Sequence, residues 1–244
     1  MINYSNSDPI RIFIGYDPAE TVAFFVLAHS IQVRAKQPVY IIPLNLRHLQ
    51  EIFQRQRLPK QTTEFSISRF LVPYLCNYEG WALFMDCDML CRADISELWL
   101  YRNWLSAVQV VKHNHIPNET TKFLNRPQTA YDKKNWSSMM IFNNERCRAL
   151  TLDYVNNASG LELHQFKWLA SEKEIGELPS EWNHLVGVDK TDPYAKLVHF
   201  TLGTPCFKEY ANCEFANKWF EEKESMLFSE QVVVPLENRQ IKKS

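Results

Sequence analysis

Glycine is scarce in this sequence: 6 in 244 residues, about a third of the usual share. A G-x-G-x-x-G dinucleotide fingerprint or a G-x-x-x-x-G-K-[ST] phosphate loop needs several glycines close together, and neither motif is present. Any phosphate-bearing ligand must be held by other means. An excess charge of either sign is also missing. With 27 Lys+Arg against 28 Asp+Glu the formal charge is −1, so the chain has no global footprint for nucleic acid, and no such partner is expected. The longest unbroken apolar run, residues 22–28, is too short to cross a bilayer, so no transmembrane segment is expected, while peripheral contact with a membrane stays open. Residues 1–8 have neither the basic nor the apolar region of an export signal, which points to a cytoplasmic protein with reduced thiols. Among the six cysteines the closest pair, Cys87 and Cys91, is spaced C-x3-C with no second pair at zinc-ribbon spacing, which argues against a structural zinc site.

What is present is an ordinary globular composition, 45% hydrophobic and 23% charged. The length suits one α/β domain over residues 10–236, with a C-terminal helical elaboration and polar tails at 1–9 and 237–244. Residues 10–16 read as a buried strand stopped by Asp17-Pro18, and a helix follows with Val22, Phe25, Val26, His29 and Val33 at helical spacing and Glu20 in its first turn. Residues 39–44 read as a second strand, completing a βαβ unit and implying a parallel sheet. Further helices are expected at 66–75, at 94–99 behind an Asp94 cap, at 146–156, at 164–170 and at 213–228. Further strands are expected at 81–85, 106–111, 139–142 and 197–200. The long connection 112–136, with His113 and His115, has the length of a functional loop.

The strand at 81–85 ends abruptly in Asp86-Cys87-Asp88. In an extended segment residues two apart leave the same face, so the two carboxylates lie a few ångströms from each other. Ligands of open α/β sheets gather at the carboxyl ends of strands. Two like charges so close favour a cation between them, and an oxygen-preferring divalent ion, Mn²⁺ or Mg²⁺, suits the pair. The plain alternative is two solvated turn residues. Met89-Leu90 resumes the apolar pattern, which argues that the carboxylates are half-buried, where unpaired charge is costly.

Several short motifs in order carry a family resemblance. Ser68-Arg69-Phe70-Leu71-Val72-Pro73-Tyr74-Leu75, then Ala82-Leu83-Phe84-Met85-Asp86-Cys87-Asp88-Met89-Leu90, then Asp94-Ile95-Ser96-Glu97-Leu98-Trp99 resemble the central block of glycosyltransferase family eight, the retaining enzymes related to glycogenin and the bacterial lipopolysaccharide galactosyltransferases. Ser137-Ser138-Met139-Met140-Ile141-Phe142-Asn143, Leu178-Pro179-Ser180-Glu181-Trp182-Asn183 and His199-Phe200 with Gly203 and Phe207 are similar to its later elements. The resemblance spans roughly residues 10–208. It implies a GT-A fold, a Rossmann-like, mostly parallel sheet flanked by helices. It also implies a nucleoside diphosphate-sugar donor, with a UDP-sugar the first expectation, and a glycan or glycolipid acceptor. Asp86, Asp88 and His199 are then the metal ligands, and an imidazole beside two carboxylates suits Mn²⁺ better than Mg²⁺. Gly15, Tyr16 and Asp17 align with the segment that reads the nucleobase, against the alternative of a helix-capping turn. Arg69 aligns with a group near the phosphates or the two carboxylates, against the alternative of a surface salt bridge. Cys87, Gly203 and Lys208 complete the donor-binding set, and Gln165 is placed beside the anomeric carbon.

Four positions depart from the family pattern. Ser138 stands where the family has the glycine of Ser-Gly, and Trp136 where it has an asparagine; His164 replaces an acidic residue before Gln165; and Lys208 is the nearest cation to the family's lysine after the histidine. Two rival readings remain. A metal-dependent nucleotidyltransferase would share the sheet and the carboxylates, but the segment after the first strand, Asp17-Pro18-Ala19-Glu20, is acidic where such enzymes need glycine and lysine. A non-catalytic carbohydrate-binding protein on a degenerate transferase fold is opposed by the intact Asp86, Asp88 and His199.

Overall fold

A computed structural model describes residues 8–55, 63–113 and 132–228, together with the backbone of 121–122 and 126–127. The elements run β1 (Ile10–Gly15), α1 (Thr21–Gln32), β2 (Val39–Leu44), α2 (Val72–Leu75), β3 (Trp81–Met85), β4 (Met89–Cys91), α3 (Ile95–Trp99) and β5 (Val108–Val110). They continue with β6 (Thr121–Lys122), β7 (Arg126–Pro127), β8 (Met139–Asn143), α4 (Leu152–Asn157), α5 (Gly160–His164), β9 (Ile175–Glu177), β10 (His184–Leu185), β11 (Leu197–His199) and α6 (Ala216–Leu227).

The central sheet has six strands in the order β2-β1-β3-β8-β5-β9, parallel throughout except for β8, which runs against both of its neighbours. β3 and β8 are buried along their whole length, as their near-continuous apolar sequences require. β2 lies at an edge, which is why it tolerates Pro43. Because β8 is reversed, its start meets the carboxyl end of β3: Met85 pairs with Met139, and the Asp86 N–H donates to the Ser138 carbonyl at 2.8 Å. A second sheet of three short strands, β10-β11-β4, branches from the residues just after β3, with β4 antiparallel to β11 and His199 opposite Met89.

α1 crosses over from β1 to β2 as expected, but its buried face is Ala23, Phe24, Val26, Leu27, Ser30 and Ile31, while Val22, Phe25 and Val33 face solvent. The reason is that α1 is covered on two sides. Phe24, Leu27 and Ile31 join the main core, whereas Val26 joins a smaller cluster with Leu90, Val198, Phe200 and Trp219 beneath α6. Ser30 accepts from the Cys91 N–H at 3.1 Å, tying α1 to β4.

Other expectations need correction. The helix expected at 146–156 forms only as α4, because Thr151 caps it by accepting from Tyr154 N–H and residues 144–146 make a 3₁₀ turn instead. The helix expected at 164–170 lies earlier, as α5, set by a capping box between Ser159 and Glu162; His164 ends it. The strand expected at 106–111 shortens to β5, and β4, β9 and β10 are additional. Within 112–136 the backbones of β6 and β7 form a two-stranded antiparallel ladder; His115 and much of that connection lie outside the described residues, as do most of both tails. Among the described residues no helix is long and apolar enough to cross a membrane.

Candidate active site

Residues at the end of β3 alternate as an extended segment should. Asp86 and Asp88 are partly buried on one side, and Cys87 between them is fully buried on the other. One carboxylate oxygen from each aspartate and a ring nitrogen of His199 all lie within 4.8 Å of one another. The β4–β11 ladder brings the imidazole there: the Phe200 N–H donates to the Asp88 carbonyl at 2.8 Å, so the chain on either side of His199 is bonded to the strand that leaves the aspartates.

Asp86 is held by Arg69. Nη1 of the guanidinium lies 2.9 Å from Asp86 Oδ1 and also donates to the Ser137 carbonyl at 2.7 Å. The group lies against two neighbouring aromatic rings, its Cζ 5.5 Å from the Phe65 centroid and 4.9 Å from that of Phe84. Arg69 is itself buried, so the surface salt-bridge alternative does not hold. Phe65 explains Gly15 as well: a Cβ there would sit 2.3 Å from the Phe65 ring, so only glycine lets β1 pass under it.

His199 is oriented from behind. Its Nδ1 lies 3.0 Å from Asn183 Oδ1, and its Nε2 lies 3.3 Å from Asp88 Oδ1. With the ring proton on Nδ1, donated to Asn183, a neutral imidazole turns the Nε2 lone pair towards a carboxylate. Two electron-rich groups facing each other call for a cation between them. A borderline nitrogen and two carboxylates, fixed before any ion arrives, form a donor set that fits Mn²⁺, and less readily Mg²⁺.

A residue that sequence reasoning assigned only to a helix start belongs to this site. Glu20 is buried and accepts from Cys87 Sγ–H at 3.4 Å, directly behind the two aspartates. Burial pushes its carboxyl up to about 8, reinforced by the negative charge of Asp88 and then, more weakly, of Asp17 and Asp86, against a lowering by the Cys87 hydrogen bond. The Cys87 thiol is pushed well above its ordinary value by the same burial and by Glu20, and it faces the core rather than a ligand. No sequence pattern announces Glu20, because its burial comes from contact with a residue 67 positions away.

The remaining expected residues fall as follows. Asp17 caps the 3₁₀ turn Pro18–Glu20 by accepting from the Ala19 N–H at 2.9 Å, and its second oxygen accepts from the Glu64 N–H at 3.1 Å. Tyr16 packs edge-on against Phe24, with its hydroxyl 3.0 Å from that of Thr21. Gln165 follows α5, and its carbonyl accepts from Lys133 Nζ at 3.0 Å. His164 Nδ1 lies 2.7 Å from Ser137 Oγ, next to the Arg69 contact. Trp136 sits 6.5 Å from the Phe166 ring, donates from Nε1 to the His113 carbonyl, and has the ammonium groups of Lys112 and Lys133 within 6 Å of its ring centre. Gly203 lies against Tyr210, whose ring a Cβ would approach to 2.2 Å, and Lys208 is exposed.

No protein-family model matches the chain. Among solved structures, it resembles the galactosyltransferase LgtC, solved with donor and acceptor sugar analogs, with a TM-score of 0.57 and 12% identity over 88% of this chain and 96% of that one. The glycosyltransferase GlyE of Streptococcus pneumoniae gives 0.59 and 11%, over 88% of this chain and 60% of that one. The bifunctional WbbM gives 0.55 and 14%, this chain spanning half of that longer protein. At such identities the likeness concerns the fold, which is that of the GT-A glycosyltransferases. Protein CDI of Arabidopsis thaliana is 44% identical over 229 residues, covering 90% of this chain and 88% of that protein. The chain therefore belongs to the family of Protein CDI, built on a GT-A fold.

Proposed function

We propose that the protein is a metal-dependent glycosyltransferase that moves a sugar from a nucleoside diphosphate-sugar, a UDP-sugar in the first instance, to a hydroxyl of a glycan or glycolipid. The observation that carries this reading is the cluster of Asp86, Asp88 and His199 at the carboxyl end of β3, with ligating atoms within 4.8 Å of one another on a GT-A sheet. The three side chains would hold Mn²⁺ or Mg²⁺. When bound, such an ion neutralises charge on a departing diphosphate.

The protein's own groups set the rest. Arg69 offsets the charge of Asp86 and fixes its carboxylate before any ligand enters, so little reorganisation is needed on binding. Gly15, Tyr16 and Asp17 end β1 beside this point and form the nucleoside wall of the proposal. Gly203 and Lys208, shortly past His199, flank the diphosphate. Gln165, just past α5, is assigned the place beside the anomeric carbon. The bond from the anomeric carbon to the diphosphate breaks and a bond to the acceptor oxygen forms on the same face, with retention; the acceptor proton goes to the leaving phosphate oxygen. All six cysteines are free, which suits a reducing compartment such as the cytoplasm.

Thermal shift and donor hydrolysis with a panel of nucleotide sugars, each with Mn²⁺ or with EDTA, test the reading. Stabilisation and slow release of nucleoside diphosphate by one donor, only with the metal, is the expected result. Release of pyrophosphate from a nucleoside triphosphate would instead indicate a nucleotidyltransferase, and binding of free sugars without any nucleotide requirement a lectin-like protein.

A further inference from the structure

Ser138 occupies the position where the resemblance leads one to expect glycine, and its hydroxyl is buried in the wall of the site. Its hydrogen bonds allow a deduction that needs no hydrogen to be seen. Oγ lies 2.7 Å from the Asn135 carbonyl, which can only accept, so the single hydroxyl proton is spent there. Oγ also lies 2.9 Å from the Asn183 side-chain amide, which must therefore present its NH₂ group to Ser138. The other end of the amide, Oδ1, then faces His199 Nδ1 at 3.0 Å, and that nitrogen must carry the ring proton.

The anchor of this relay is itself fixed. Asn135 adopts a left-handed conformation, φ 65°, which asparagine tolerates better than most residues, and its carbonyl accepts the Ser138 N–H at 3.1 Å as well as the hydroxyl. Ser138 also accepts the Asp86 N–H through its own carbonyl. One residue thus touches both sides of the cluster, holding Asp86 through the backbone and His199 through the side chain.

We propose that Ser138 is a positioning residue that, through Asn183, locks His199 in the Nδ1–H tautomer with the Nε2 lone pair aimed at the ion site. The proposal rests on the reading of Asp86, Asp88 and His199 as metal ligands for its consequence, though not for the tautomer itself. Without the hydroxyl, the Asn183 amide loses the contact that defines its orientation. Turned by 180°, it would offer NH₂ to Nδ1 and favour the Nε2–H tautomer, which cannot ligate. Loss of such an outer contact to a ligating histidine lowers metal affinity by about 10- to 100-fold.

The test has two readouts. In the metal-free parent, long-range ¹H–¹⁵N spectra of the histidine rings should show His199 protonated on Nδ1; an Nε2–H ring in the parent overturns the proposal without any variant. Ser138→Ala should give a mixture of tautomers, and Mn²⁺ titration followed by electron paramagnetic resonance should show the 10- to 100-fold loss. Adding Asn183→Asp to Ser138→Ala should restore both, because a carboxylate can only accept from Nδ1–H. A Ser138→Ala protein with an unchanged tautomer and unchanged Mn²⁺ affinity refutes the role. A parent with the Nδ1–H ring that binds no Mn²⁺ would defeat the metal reading of the preceding section, and the tautomer comparison would still decide the part played by Ser138.

Discussion

Glu222 and Asp86 are both carboxylates gripped by an arginine, one on the seam between α1 and α6, the other at the mouth of the sheet. Glu222 is closed in by the Arg34 guanidinium, Nη2 at 2.6 Å, and by His29 Nδ1, also at 2.6 Å, and its side chain is 6% exposed. Asp86 pairs with Arg69 at 2.9 Å and shares its surroundings with Asp88, Glu20 and His199. In the first cluster the charges balance and the carboxylate is shut away, which makes a brace between helices. In the second, among the described residues, three acids gather around one arginine and one imidazole and the two aspartates stay partly accessible, and that surplus makes a binding site. Charge balance, more than burial, separates the two.

Breaking each cluster should therefore have opposite consequences. The largest effect is expected from Glu222→Ala, which takes the buried carboxylate from Arg34 and His29 on the α1–α6 seam and should lower unfolding free energy by about 3 kcal/mol, read by urea denaturation, with Mn²⁺ affinity unchanged. Parallel losses of stability and Mn²⁺ affinity would mean that the brace and the site are one unit. Next comes Asp88→Ala, which should weaken Mn²⁺ and Mn²⁺-dependent donor binding by about 100-fold in calorimetry while stability stays within about 1 kcal/mol, since one of two repelling carboxylates has gone. A large destabilisation there would make Asp88 a structural ion-pair partner of His199.

The surplus of acid also has a pH signature. Glu20 titrates at about 8 in the folded protein against an ordinary 4.5, so between those values the folded state holds a proton that the unfolded chain has released. The stabilising contribution is complete below the ordinary value and is lost as pH rises through 8. In EDTA the melting temperature should fall from pH 5 to pH 8.5, by the equivalent of a few kcal/mol at about 1.4 kcal/mol per unit, and Glu20→Gln should flatten that slope. An unchanged slope in the variant would place the titration elsewhere. The smallest effect belongs to a pair that is neither brace nor site: Lys218 and Glu221, 2.8 Å apart and both about half-exposed on α6, should contribute less than about 0.5 kcal/mol when Lys218→Ala is compared with the parent in urea.

Elements with a strong local signature were readable in advance. β1, β3 and α1 announce themselves by apolar runs with a turn or cap at the end, and Asp86 and Asp88 stand out because a buried strand stops on them. The buried face of α1 was not readable, since periodicity in one helix cannot report that a second cluster, under Trp219, covers its far side. The signal for α5 is present, since Ser159 and Glu162 form the capping box, but the apolar residues after His164 carry a competing helical pattern. Strands of two or three residues, such as β4 and β10, fall below any pattern and exist only through their partners. Within the site, the sequence points to Asp86, Asp88 and His199 by family resemblance and registers Ser138 only as a departure. What Ser138 touches follows from β8 being reversed, a property of the assembled sheet.

The short β4–β11 ladder has a consequence for how the protein is made. Asp86 and Asp88 leave the ribosome more than a hundred residues before His199, and the imidazole reaches them only when β11 has been synthesised and paired with β4. A nascent or truncated chain ending before β11 carries β1, β2, β3 and both aspartates in its sequence, yet it lacks the third member of the cluster. Completion of the site is thus a late event of translation, and a fragment that looks well folded by its sheet is still an unfinished protein.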